Sequence, residues 1–181
     1  MTTITTASGR TIDLFSPSTA DIDIHDIAEH LSKLCRFTGA CRPFWSVAQH
    51  SLLVSRLCHP DAALAGLLHD ASEAYLGDVS SPLKHSPMMA GYRELEAEWE
   101  QAIGRAFGVE LWRFHDEVKA ADKQAFSQER FHLAFPWNSD SSLRHLVPEM
   151  LVYEEGPEDM KELFLDEYHR LVNLSKATVT P

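Results

Sequence analysis

Residues 64 to 78 read LAGLLHDASEAYLGD, and this stretch constrains the fold more than any other. Leu and Ala fall on every side of a 3.6-residue period, so the segment asks to be a helix buried all round at the centre of a domain. Yet His69 and Asp70 stand side by side within it, with Glu73 and Asp78 close behind. Burying an unpaired carboxylate costs several kcal/mol, so such acids need cations or hydrogen-bond donors from elsewhere in the chain.

The rest of the pattern builds helices around this one. Residues 1–14 form either a short hairpin or an extended arm, with Thr and Ile alternating about Ser8 and Gly9. Ile27, Leu31, Leu34 and Cys35 have helical spacing from Asp26 and stop near Gly39. A second helix begins at Ser46, where Gln49 completes a capping box, and runs to about Cys58. The third opens at Pro60 and continues to Gly77. After a Ser/Pro loop, Tyr92, Leu95, Trp99, Ala102 and Ala106 mark a fourth amphipathic helix ended by Gly108. A fifth is expected from about Leu111 to Phe135, stopped by Pro136, and a last one from about Glu158 to Ser175. Strand signals are nearly absent. The expectation is therefore an all-α compact bundle of about six main helices, and a length of 181 residues suits one domain over 1–181.

Composition narrows the function. A net charge of −11 argues against a grip on nucleic-acid polymers, though a few local cations or a metal can still favour a small anion in one pocket. No apolar run reaches the roughly 20 residues of a membrane span, and the first residues lack a signal peptide's apolar core. Three cysteines, Cys35, Cys41 and Cys58, lack CxxC spacing and read as ordinary thiols in a reducing cytoplasm.

Two further residues interrupt apolar faces. His50 shares a stripe with Val47, Val54 and Leu57 on the second helix, and Asp122 shares one with Leu111, Val118 and Phe126 on the fifth. With His69 and Asp70 they supply two nitrogen and two oxygen donors. Such a set suits Mn, Fe, Co, Ni or Zn better than Ca, which prefers oxygen alone.

The order His50, then His69-Asp70, then Asp122 resembles the HD-domain phosphohydrolase superfamily. The likeness extends to CRF at 35–37, SVAQHS at 46–51, LLHDASEAYLGDVSSPLK at 67–84 and VKAAD at 118–122, within residues 22–130. These segments are similar to the compact bacterial and phage branch that includes YfbR-like 5'-deoxynucleotidases and phage dATP triphosphohydrolases. The resemblance implies that His50, His69, Asp70 and Asp122 hold a catalytic divalent transition metal. It implies that Glu73 orients or deprotonates the attacking water or helps bind a second metal, and that Asp78 meets the sugar hydroxyl. Arg36, Lys84 and Lys119 match its phosphate-binding cations. Phe37 stands where related nucleotidases carry a Trp, so it is expected to pack against the base. Arg42 and Trp45 are candidates to line the entrance, although packing explains Trp45 equally well.

The expected substrate is a small-molecule nucleotide, most simply a 2'-deoxynucleoside monophosphate. A dNTP is the alternative and needs further cations or Mg for its longer phosphate tail. A non-catalytic nucleotide-binding domain and a purely structural His-Asp pair are the other readings. The resemblance also implies a homo-oligomer, a dimer or larger, with the apolar fourth and last helices as candidate interfaces.

Overall fold

The computed structural model describes residues 2–41, 43–133 and 156–178. Thr3–Thr5 (β1) and Thr11–Asp13 (β2) pair antiparallel as a hairpin, with Ile4 opposite Ile12. Eight helices follow: α1 Ile24–Lys33, α2 Val47–Leu57, α3 Ala63–Leu68, α4 Glu73–Leu76, α5 Ser81–Lys84, α6 Ala90–Phe107, α7 His115–His132 and α8 Pro157–Thr178. Six of these are longer than a single turn, so the described residues form the expected all-α bundle. None of its helices is long and apolar enough to cross a membrane.

The core gathers Ile27 and Leu31 of α1, Leu52 of α2, Leu67 and Leu68 of α3, Trp99 and Ile103 of α6, and Phe164 of α8. Each such side chain contributes roughly 1.5–3 kcal/mol when fully removed from water. Tyr75 stacks on Trp99 at a centroid distance of 4.3 Å and fixes α4 against α6. At Gly66, an added Cβ would lie 2.9 Å from Cys58 Sγ and 3.2 Å from Ser55 Cα, so the glycine lets α3 approach α2 closely.

Caps explain most boundaries. Ser46 and Gln49 form the expected capping box at the start of α2, and Gly108 closes α6 in the left-handed conformation with φ 67°. Three boundaries differ from the sequence reading. Helix α1 ends at Lys33 instead of near Gly39, because the chain turns extended at Leu34 and Cys35 pairs with Ser46. The Arg36 and Val47 N–H groups bond to the Trp45 and Leu34 carbonyls at 2.8 and 2.9 Å, which outweighs continued helix.

The helix expected over residues 60–77 is divided into α3 and α4. Residues between them keep a helical path tightened by i→i+3 bonds, among them Ala71 N–H to the Leu68 carbonyl and Glu73 N–H to the Asp70 carbonyl, each 3.0 Å. The helix expected from Leu111 opens as a 3₁₀ turn, Leu111–Phe114, before α7 starts at His115. Its expected stop at Pro136, like Arg42, lies outside the described residues.

The hairpin docks on α1 through buried Asp26. Ser8 donates to this carboxylate twice, from its N–H at 2.7 Å and its hydroxyl at 2.8 Å. His30 extends the contact, accepting from the Ala7 N–H at 3.0 Å while its Nδ1–H donates to the Ala74 carbonyl at 2.6 Å. Burial alone would raise the Asp26 carboxyl, but the bonds from Ser8 and Thr6 outweigh it and hold the group below its ordinary 3.8. A lowered carboxyl stabilises the fold above its unfolded value, and the contribution is lost as pH falls through the folded value. Asp26→Asn is therefore expected to be less stable than wild type at neutral pH, with the difference shrinking below about pH 4. Urea denaturation across that range measures this, and a pH-independent difference would contradict the role given to the ionised carboxylate.

Candidate metal centre

Three helices converge on one point. α2 contributes His50, the end of α3 contributes His69 followed by Asp70, and α7 contributes Asp122. One ligand atom from each of His50, His69 and Asp122 lies within 4.8 Å of the others, so this cluster could hold a metal ion. Asp70 stands against it, with Oδ2 3.1 Å from His69 Nε2 and 3.6 Å from His50 Nε2.

The hydrogen bonds behind the ring atoms set what they offer. His69 Nδ1 lies 2.8 Å from the Gly66 carbonyl, which can only accept, so Nδ1 carries the proton. His50 Nδ1 lies 2.7 Å from Glu129 Oε1, again an acceptor. When neutral, both imidazoles therefore turn a lone pair on Nε2 toward the same space. Each Nε2 is buried and has no hydrogen bond of good geometry, although Asp122 Oδ1 is 3.1 Å from that of His50. Two orphaned buried nitrogens beside two carboxylates are chemically a set of donors that could hold a divalent cation.

Glu129 is the residue that sequence reasoning missed. Its fully buried carboxylate accepts from Trp45 Nε1 at 2.8 Å, His50 Nδ1 at 2.7 Å and Arg36 Nη2 at 3.0 Å. Burial opposes its charge, but His50, Arg36 and Trp45 together hold its carboxyl below the ordinary value. Its place two helical turns after Asp122, on the same side of α7, does not by itself distinguish it from a solvated acid. Trp45 is 1% exposed, so it packs behind the cluster and does not line an entrance.

Neighbouring charges separate the remaining acids. Burial works against the Asp70 carboxylate, but His69, His50 and Arg36 hold it far below the usual carboxylate range. Asp122 is also lowered, with burial outweighed by His50 and His69. Glu73 is pushed well above its ordinary value by burial, then by the negative charges of Asp70 and Asp78. Its Oε2 is buried and unbonded. Asp78 is likewise raised, chiefly by burial.

The cluster opens into a cleft of about 1110 Å³, lined by His69, Asp70 and Asp122 and by the cations Lys84, Arg93 and Lys119. Lys84 is tied to Glu96 at 2.7 Å, whereas exposed Lys119 has no ion pair among the described residues. Arg36 is not among the residues lining this cleft; its side chain is 12% exposed, bonded to Glu129 and 3.9 Å from Asp70. Phe37 lies under Arg36 and packs against Phe126 at 6.0 Å, and neither it nor Asp78 lines the cleft. Phe126 is 40% exposed, and the buried stripe of α7 runs instead through Val118, Ala121, Ala125, Gln128 and Glu129. Asp122 sits at the edge of that stripe, facing the cleft, and not within an apolar face.

Fold and site together define a helical-bundle protein with a candidate His/Asp metal centre at the base of a large cleft. Comparison with known proteins places it more closely. No family model matches the chain. It is 33% identical over 179 residues to "Uncharacterized protein YfdR" of Escherichia coli (strain K12), a match covering 97% of this chain and 99% of that one. It is also 40% identical over 111 residues, 56% of each chain, to "Uncharacterized protein RCAP_rcc00048" of Rhodobacter capsulatus. The chain belongs to the same family as YfdR.

Glu129 fixes the His50 ring without lining the cleft, and loss of such a supporting carboxylate typically costs 10–100-fold in metal affinity. Glu129→Gln is accordingly expected to weaken Co²⁺ or Zn²⁺ binding by about that factor, while His50→Ala abolishes it. Calorimetric titration of metal-stripped protein gives the comparison, and equal affinities for wild type and Glu129→Gln would contradict the assignment.

Proposed function

We propose that this protein is a metal-dependent phosphohydrolase of the HD-domain type, acting on nucleotides and in particular on 2'-deoxynucleoside monophosphates. The observation that carries this reading is the convergence of the two bare Nε2 atoms of His50 and His69 on Asp70 and Asp122, at the base of a cleft whose wall carries Lys84 and Lys119. A Co, Mn, Zn, Fe or Ni ion bound there would act as a Lewis acid and make water more acidic.

The chain's own groups supply the other requirements. Asp70 and Asp122, both held ionised, and the Nε2 atoms of the histidines would hold the ion. Glu73 is buried, with an unbonded Oε2 and within electrostatic reach of Asp70, and it is the group proposed to take a proton from the attacking water. Lys84 and Lys119 offset phosphate charge from the cleft wall, and Arg36 adds positive potential from behind Asp70. Hydrolysis then proceeds by water adding in line to phosphorus as the ester oxygen leaves with a proton. The family resemblance assigns Asp78 to the sugar hydroxyl and Phe37 to the base, and since neither lines the cleft both roles require the Arg36 loop and the segment after Gly77 to approach a bound nucleotide. A second reading, hydrolysis of a dNTP, is favoured by the volume of the cleft and by Arg93 and Arg105 in its wall, which leave room and charge for a longer phosphate tail, with Mg accompanying it. On either reading the protein is a cytoplasmic homo-oligomer.

The test is chromatography of dNMP, NMP and dNTP panels incubated with the protein and Co, Mn, Zn or Mg. Inorganic phosphate and deoxynucleoside from dNMPs is the expected result, and intact triphosphate from a dNTP identifies the second reading. Asp70→Ala should be inactive, and Glu73→Gln should lower kcat by about 10²–10⁴ while still binding metal. Absence of hydrolysis by metal-loaded protein across all three panels would sink the enzymatic reading.

A further inference from the structure

We propose that Cys35 and Cys41 form a modification site, a thiol pair that peroxide converts reversibly into an intrachain disulfide at the neck of the Arg36 loop. Their Sγ atoms lie 3.7 Å apart, and both residues are free and half-buried. A disulfide needs about 2.05 Å. The remaining gap is small enough for side-chain rotation and a slight closing of the loop.

What the pair encloses makes the site more than a chance contact. Cys35 is anchored by its antiparallel bridge to Ser46, and the chain between the cysteines makes a tight turn. Phe37, Thr38 and Gly39 all adopt the left-handed region, with φ of 57°, 53° and 80°. For a β-branched threonine this is a strained conformation, held only when its surroundings impose it. The Ala40 N–H donates to the Phe37 carbonyl at 2.9 Å, and the Thr38 hydroxyl donates to the same carbonyl at 2.6 Å. The Cys35–Cys41 contact closes the base of this turn. Arg36 follows Cys35 directly, and its guanidinium donates to the carboxylate that fixes His50. A covalent change at the neck therefore has a short path to the candidate metal centre.

The chemistry balances with hydrogen peroxide as oxidant. The Cys35 thiolate attacks one peroxide oxygen, the O–O bond breaks, and the hydroxide leaves as water on taking a proton. Cys41 sulfur then displaces hydroxide from the resulting sulfenic acid, its own proton leaving with that hydroxide as a second water. Two thiols lose two electrons and two protons, and an added dithiol restores them by exchange. Cys58 supplies an internal control: no other thiol contacts it among the described residues, and it packs beside Gly66.

The experiment treats full-length protein with a modest excess of hydrogen peroxide, followed by intact mass and non-reducing peptide mapping. The expected result is a loss of about 2 Da, a Cys35–Cys41 cross-link, an unmodified Cys58 and full reversal by dithiothreitol. Cys41→Ser should instead stop at a Cys35 adduct. The effect on the site rests on the phosphohydrolase reading: dNMP hydrolysis should fall at least about threefold on oxidation, recover on reduction, and become insensitive to reversible cross-linking in Cys41→Ser. No Cys35–Cys41 cross-link under these conditions overturns the proposal, and a cross-link that leaves hydrolysis unchanged overturns its coupling to the site. If neither form hydrolyses any nucleotide, the phosphohydrolase reading fails; the mapping still decides the modification site, and metal affinity of the two forms then decides the coupling, equal affinities counting against it.

Discussion

The carboxylate of Glu129 has no contact with solvent, and three donors from separate parts of the chain close on it. Trp45 and Arg36 come from the two sides of the loop between α1 and α2, His50 from α2, and Glu129 itself from α7. An ionised group at this depth is tolerated because three donors share its charge, two on Oε1 and one on Oε2, and losing one would leave a buried charge costing several kcal/mol. The same bonds orient the His50 ring. Packing of α2 on α7 and orientation of His50, a candidate metal ligand, are thus one event. The Arg36 loop is bound into it as well, because its strained backbone sits beside a guanidinium that cannot leave Glu129 freely.

Charge balance points the same way. Around the cluster, Asp70, Asp122 and Glu129 are held ionised, while Arg36 is the guanidinium in direct contact with two of them. Glu73 responds to this excess by staying protonated well above the usual range. Burial and Arg36 oppose a charged His50 imidazole, but Glu129 and Asp122 outweigh them and raise it, so a proton there offsets part of this charge. A divalent cation displacing that proton would favour an ionised Glu73 able to accept one. The tightened turn between α3 and α4 contributes by geometry. It aims His69 and Asp70 at the cluster from adjacent positions, and it places Glu73 behind Asp70.

Much of this was legible in the sequence, for physical reasons that differ from residue to residue. His50 could be found because it breaks an apolar stripe, and His69-Asp70 because it breaks an apolar helix. The capping box at Ser46 and the stop at Gly108 are local chemistry and needed nothing distant. Asp122 was found for a reason that is only partly right, since it edges the buried stripe of α7 and faces the cleft. Glu129 was not legible: Gln128, Glu129 and Arg130 look like any solvated turn, and only the arrival of Trp45, His50 and Arg36 from other elements makes the acid an interior group. The early end of α1 has the same origin, because Cys35 pairs with Ser46 and no local signal announces that bridge.

The cleft's cations show how far a net charge constrains function. The chain carries −11, and two of the basic groups matched to phosphate binding are already engaged, Lys84 by Glu96 and Arg36 by Glu129. Lys119 is left exposed at the cleft wall. Glu96 and Glu100 line the same wall, and partial desolvation against that wall, with Glu96 nearby, pushes the Glu100 carboxyl up to about 7. The protein alone therefore presents a nearly balanced cleft, poorly suited to draw in a phosphate. A divalent ion at the base would tip that balance toward anions at the one position where phosphorus would have to sit. On the phosphohydrolase reading, anion binding would accordingly depend on the metal-loaded protein, because the ion that acidifies water would also help to hold a phosphorylated substrate.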